Sequence, residues 1–474
     1  MKKSSLFLLT LFIACSSSSQ TDVAVQSIEE STTTSVVEDS NEKIVEENLN
    51  QLNKDPYLYE NHSENYICIS ECLDNNTEIF AGNVKGTLLI KLENQIISDV
   101  DYLSANEMLI TMHDTGKILL LDILNNSITE WLDLSSIVLI PGTQESGLQN
   151  IEIDNSLETL FVSYTSKTNS AVISKFSINN TVPDINSETI LVSEKHMGTA
   201  HYCGTLVLDE SNNRLFSCFG DAQLQQLSVT NWNIHGSIFS IDINTGKYHS
   251  LNPKPNLNEE FSKDAVFNRG GYEADKRIVA SGFRNPWNFT IHESGKYLVV
   301  PDVGWLDYEE LNTIHLDEEI AGFYGWPYVE GPFFRQHYDR ILTEGNLPPF
   351  FTSEQEIAKE IAFTESVPPR LYYYHEGSGN SIIGGQFITV GESMWFDYYV
   401  FTDMFDIGGR NYFSLLKFDE YNLSIDNRLF LENQIFKNST TSFSPIISIE
   451  NDYEGNILSI HADGSIYKLI FNLD

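Results

Sequence analysis

Basic residues are scarce: 28 lysines and arginines stand against 67 aspartates and glutamates, a formal charge of -39 over 474 residues. Polyanions are repelled by such a chain, which excludes nucleic acid as a partner and leaves a solvated, self-repelling surface or an affinity for cations. Long apolar runs are missing as well. The N-terminal run Leu6–Ala14 is too short for a spanning helix. Cysteine is limited to five residues, and no histidine cluster accompanies them to form a zinc site. No long segment keeps the 3.6-residue apolar period of an amphipathic helix.

The N-terminus nevertheless carries a message. Lys2 and Lys3 precede the apolar run, and Cys15 follows it, so residues 1–14 read as a secretory signal. Leu11-Phe-Ile-Ala-Cys15 resembles a bacterial lipobox, which predicts an exported protein anchored to the cell envelope through lipid on Cys15. Residues 15–60 are rich in Ser, Thr and acid, with no aromatic residue before Tyr57, and read as a disordered tether. Of the other cysteines, Cys203 and Cys218 flank a predicted hairpin closing near residues 210–213. A cross-strand disulfide and two buried thiols both remain open for that pair.

Beyond the tether, short β-branched and aromatic runs recur every 8 to 12 residues between Asn, Asp, Gly and Ser. They group into six units: around Met108 and Lys117; Leu148, Thr159 and Ala171; Thr205, Arg214 and Gly236; Trp287, Lys296 and Glu310; Ile383, Tyr399 and Tyr412; Ile446, Ile457 and Ser465. Six sheet-sized units exceed one sandwich, and radial repetition accommodates them, so the fold class is all-β, a six-bladed β-propeller. Seven blades or two tandem sandwiches are the alternatives. Extra length near residues 220–235, 250–275 and 330–370 falls in loops able to wall a site.

Candidate chemistry concentrates between His201 and Pro327. His201 precedes the third unit's first strand and Asp221 follows its second, so a hairpin returns the carboxylate to the imidazole, where it can orient a base. Arg284-Asn285-Pro286 supplies a guanidinium fork and an amide ahead of a proline. Gly304 and its neighbours can offer backbone carbonyls to a hard cation such as calcium.

These segments, with Gly282-Phe-Arg-Asn-Pro286, Asp302-Val-Gly304, Glu309-Glu-Leu-Asn312 and Tyr324-Gly-Trp-Pro327, resemble in order the motifs of the glucose/sorbosone dehydrogenase family. The resemblance spans roughly residues 75–474 and includes Glu145 ahead of Gly147-Leu148, His375 with Ile383-Gly-Gly385, and Tyr399-Val-Phe-Thr-Asp403. It implies a sugar oxidoreductase using pyrroloquinoline quinone (PQQ) and Ca2+. His201 resembles the general base, Asp221 its orienting carboxylate, and Arg284 a catalytic cation. Arg284, Asn285, Glu145 and Arg410 are the implied cofactor contacts, and Gly304 and Trp305 the implied metal ligands. The cationic residues that pair with PQQ carboxylates elsewhere in the family have one counterpart here, Arg410. The alternative is a non-catalytic surface propeller that binds glycans or proteins, like the propeller domains of hedgehog-interacting proteins.

Overall fold

The third unit illustrates why these runs become strands. In Arg214–Phe219 every residue is buried, so both faces of the strand are covered and no polar alternation is visible. Leu206–Asp209 and Ser237–Asp242 pair with it antiparallel on either side. The hairpin between the first two closes through a short 3-10 turn, Glu210–Asn212, whose N-terminus is capped by Asp209 and whose end is Asn213 in the left-handed region. Ile278–Ser281 adds the fourth strand.

The computed structural model describes residues 67–68, 83–140, 145–255, 273–305, 307–331, 333–334, 366–374, 381–391, 393, 395–404, 412–417, 429–432 and 444–472. The signal 1–14, the tether 15–60, His375 and Arg410 lie outside them. Among the described residues, strands form six sheets of four or five strands and one two-stranded ribbon. Blade 1 runs Ile97–Ser104, Glu107–Met112, Lys117–Asp122, Ser127–Asp133, and blade 2 is built on Leu148–Ile153, Thr159–Thr165, Ser170–Asn179 and Thr189–Lys195. Blade 3 is the sheet just described. Blade 4 holds Thr290–Ile291, Tyr297–Asp302, Tyr308–His315 and Leu371–Tyr374, and blade 5 Ile382–Phe387, Tyr398–Asp403, Tyr412–Lys417 and Leu429–Glu432. Blade 6 combines Ile446–Asn451, Ile457–His461 and Ser465–Asn472 with Asn83–Lys91, so the first long strand closes the ring against the last. The sixfold architecture is as the repeats imply. The outer strands and the closing strand are additions that the repeats do not reveal.

Apolar side chains are buried between neighbouring blades rather than inside one sheet. Leu109 and Ile118 meet Leu148 and Val162; Phe161 and Ile173 meet Leu215 and Phe239; Phe216 and Ile238 meet Phe289 and Val300. Each such side chain contributes about 1.5–3 kcal/mol, and the blade interfaces therefore fix how the ring-facing loops stand to one another.

The first strand of each blade faces the ring axis, and side chains stitch these strands together. Asp99 accepts from Ile151 N at 2.8 Å, Asn150 from Leu206 N at 3.0 Å, and Thr205 from Asn288 N at 3.0 Å. Thr290 donates to Gln386 at 2.8 Å, and Gln386 to Glu450 at 3.2 Å. The axis thus collects carboxyl groups. Withdrawal from water pushes Asp101 and Glu450 up to about 7 and Asp99 well above its ordinary value, with Glu450 and Asp99 further raised by their acidic neighbours. Raised carboxyl values mean the folded state holds more protons than the unfolded one, so this contribution is complete below about pH 4 and is lost as pH rises through about 7. Denaturant melts are expected to show stability declining between pH 5 and 8. Glu450→Gln should flatten that slope and gain about 1–3 kcal/mol over the wild type at pH 8, with little change at pH 5. An unchanged slope would assign the carboxyls ordinary values.

Candidate active site

All first strands run the same way, so residues just before a first strand and just after a second strand meet at one mouth of the ring. Glu145, His201 and Arg284-Asn285 occupy the first kind of position, Asp221 and Gly304 the second. The structure accordingly brings His201, Asp221, Glu145, Arg284 and Asn285 into one connected group.

His201 and Asp221 form its centre. The imidazole Nδ1 lies 2.6 Å from Asp221 Oδ1, and both side chains are buried. Asp221 also accepts from Gln223 N at 2.8 Å and, through Oδ2, from Trp326 Nε1 at 2.9 Å. Burial alone would raise the Asp221 carboxyl. The His201 imidazole beside it, then Arg284 and Trp326, outweigh burial and hold the group below its usual value, so it stays ionised. An ionised acceptor keeps the proton on Nδ1 and leaves the Nε2 lone pair to serve as base. Nε2 is buried and has no hydrogen-bond partner.

The loop carrying His201 takes an uncommon path, with φ of 63° at His201, 51° at Cys203 and 98° at Gly204. Glu145 steadies it, its Oε2 accepting from His201 N at 2.6 Å and Tyr202 N at 3.1 Å. The Glu145 carboxylate therefore addresses the loop that carries His201. Tyr202 stacks on His196 at 3.7 Å between ring centroids and donates to Asn169 at 2.8 Å. Cys203 and Cys218 are joined by a disulfide, with Cα atoms 5.8 Å apart, which resolves the alternative left open by spacing.

Arg284 and Asn285 are placed by a residue whose role spacing does not reveal. Asp302 accepts from Arg284 N at 2.8 Å and from Asn285 N at 2.7 Å. Burial drives the Asp302 carboxyl up to about 7 despite these bonds and the nearby guanidinium. The Arg284 Nη1 donates to Val303 O at 3.0 Å, and its guanidinium carbon stands 5.8 Å from the Trp326 ring centroid. Asn285 Oδ1 is buried without a partner. A Cβ added at Gly220 would lie 2.5 Å from His201 O, 2.8 Å from His201 Cβ and 2.9 Å from Asn285 Oδ1, so only glycine lets the backbone pack between these two residues.

Gly304 is required for a different reason: a Cβ there would fall 1.7 Å from Tyr308 O. Its N–H donates to Glu309 at 3.1 Å, and Trp305 N–H donates to Glu330 Oε1 at 2.7 Å. Because a trans peptide sets C=O opposite the following N–H, the Gly304 carbonyl points away from Glu330. Among the described residues no three His, Cys, Asp or Glu side chains gather to hold a metal ion.

The profile of the glucose/sorbosone dehydrogenase family matches residues 95–346, more than half of the chain. The protein belongs to this family. The family member described here is thus an oxidoreductase acting on sugars. Its fold is similar to that of the PQQ-bound aldose sugar dehydrogenase of Streptomyces coelicolor, with TM-score 0.57 at 14% identity over 83% of this chain and 99% of that one. The apo-form aldose sugar dehydrogenase of Escherichia coli gives 0.57 at 15% identity, over 83% of this chain and 100% of that one. A calcium structure of a Trichoderma reesei family AA12 carbohydrate-active enzyme gives 0.54 at 14%, over 83% and 98%. No curated protein matches the sequence.

Proposed function

We propose that this glucose/sorbosone dehydrogenase family member is an exported protein, tethered through lipid on Cys15, that oxidises an aldose-type sugar with PQQ and Ca2+. The observation that carries the reading is the buried Nε2 of His201, which has no hydrogen-bond partner and has an ionised Asp221 behind its imidazole; Asn285, packed against the same Gly220 as His201, likewise has a buried Oδ1 without a partner. Two orphaned buried polar atoms, on residues packed against the same glycine, call for a polar ligand. The PQQ-bound and calcium-bound relatives support the cofactor assignment.

PQQ, when bound, supplies the two-electron acceptor for the sugar's anomeric C–H. His201 Nε2 takes the proton of the anomeric hydroxyl, and Asp221 stabilises the imidazolium that results. Arg284 provides fixed positive charge where negative charge develops, and Asn285 an amide that orients the bound groups. Gly304 and Trp305 carbonyl oxygens are the ligands that this chain offers to calcium, a hard cation suited to oxygen.

The test is reconstitution of the purified mature chain with PQQ and Ca2+, followed by dye reduction over a panel of aldoses. The expected result is sugar-dependent reduction that disappears on calcium chelation. Absence of both PQQ binding and dye reduction would overturn the reading. Sugar or glycan binding that survives His201→Ala without turnover would instead establish the non-catalytic alternative.

A further inference from the structure

We propose that the Cys203–Cys218 disulfide is a positioning bond of the active site, holding the His201–Asp221 pair in register rather than serving only the stability of blade 3. The inference rests on His201 acting as the base, and it concerns which covalent feature keeps that base aligned.

Cys203 lies two residues after His201, and Cys218 three before Asp221. The regular ladder between their strands ends at Leu206 and Ser217. Beyond that point the His201 segment is no longer a strand, because His201, Cys203 and Gly204 all have positive φ. A chain in this conformation cannot extend the ladder. The backbone bond from Gly204 N to Cys218 O is 3.3 Å long, a weak continuation. The S–S bond therefore supplies the covalent link between the base's loop and the strand that delivers its carboxylate, across a sequence separation of 15.

The same bond reaches the third active-site loop. Cys203 Sγ sits 3.1 Å from the carbonyl oxygen of Pro286, directly after Arg284 and Asn285. Thr205, two residues further on, accepts from Asn288 N at 3.0 Å. Asp221 N in turn donates to Arg284 O at 2.8 Å. One buried bridge, with Cys203 at 1% and Cys218 at 0% exposure, thus touches the segments carrying base, carboxylate and guanidinium. Glu145 and Tyr202 anchor the loop from the blade 2 side, and the disulfide anchors it from the side of Asp221. Without the latter, the loop can rotate about its left-handed residues and lengthen the 2.6 Å hydrogen bond while blade 3 keeps its ladder.

The test uses the full mature chain and has two readouts. In the cofactor-free protein, the short His201–Asp221 hydrogen bond should give a strongly deshielded imidazole proton by NMR. In the reconstituted protein, kcat and KM are measured separately. The Cys203→Ala/Cys218→Ala variant should lose or broaden that resonance with the strand circular dichroism retained, and kcat should fall about 10- to 100-fold with KM changed less than about threefold. If the variant does not fold, the wild type is reduced natively with tris(2-carboxyethyl)phosphine. The S–S bond then takes up two electrons from the phosphine and two protons from water to give two thiols, the phosphine becomes its oxide with the oxygen of that water, and alkylation maps the thiols. Reoxidation should restore the resonance. A folded, bridge-free protein that keeps the resonance and kcat would overturn the proposal, as would loss of the resonance only together with loss of the strand signal. Should the wild type show no turnover, the resonance still decides the positioning role independently of the catalytic reading.

Discussion

His201→Ala should lower kcat/KM for the best aldose about 10²- to 10⁴-fold, the range for removing a positioned general base, while PQQ affinity changes by only a few-fold. The reason lies in the division of labour at the imidazole. Nδ1 is committed to Asp221 at 2.6 Å, and Nε2 is the buried atom without a partner. Removing the ring deletes the proposed proton acceptor but leaves Arg284, Asn285 and the Gly304 segment in place, since Asp302 and Glu309 hold these through backbone N–H groups. Asp221→Asn should approach the same loss by another route. Its amide cannot reproduce an ionised acceptor, so the preference for a proton on Nδ1 weakens and part of the population carries it on Nε2, where it blocks the base. Steady-state kinetics of the two variants, with PQQ binding followed separately, checks both. Activity of His201→Ala within tenfold of the wild type would remove His201 from the role of base.

The parts of this arrangement legible in the sequence share a physical cause. Arg214–Phe219 and Tyr297–Asp302 are buried on both faces, which favours short, mainly apolar runs without polar alternation and makes middle strands conspicuous. The outer strand Ser127–Asp133 has four consecutive exposed residues at its start and reads as a polar loop. Asn83–Lys91 is a strand by composition, but nothing local says that its partner is Ser465–Asn472, which lies at the other end of the chain. The His201–Asp221 pair was accessible because a hairpin returns the chain at short range. Trp326 donates to Asp221 across 105 residues, and the Asp302 contacts to Arg284 and Asn285 use backbone N–H groups, which have no side-chain signature. A signal for Asp302 did exist: an acidic residue closing an otherwise buried strand needs donors, and a turn before a neighbouring strand can supply them.

Arg284→Ala is expected to reduce kcat/KM about 10²- to 10³-fold and to weaken PQQ binding, with Arg284→Lys recovering only part of either loss. Arg284 is 3% exposed in a chain with few cations, and it is the positive charge that acts on both Asp221 and Asp302. Its loss therefore has two consequences. The first is chemical, because fixed positive charge disappears from the place where, on the proposed mechanism, the sugar's electrons are accepted. The second is electrostatic: Asp302, whose proton affinity Asp221 already raises, loses the nearby positive charge, and Asp221 is left to its bonds with His201, Trp326 and Gln223. Lysine restores charge but not the planar fork that meets Val303 O at 3.0 Å and stands over the Trp326 ring. The two consequences separate by experiment. If electrostatics alone were at work, Asp302→Asn in the Arg284→Ala background would restore thermal stability and activity together. If the guanidinium also takes part in the chemistry, that double variant regains stability and remains slow, whereas Arg284→Ala within fivefold of wild-type activity would exclude both. Acidic surroundings thus make Arg284 more consequential than its counterpart in a charge-balanced protein.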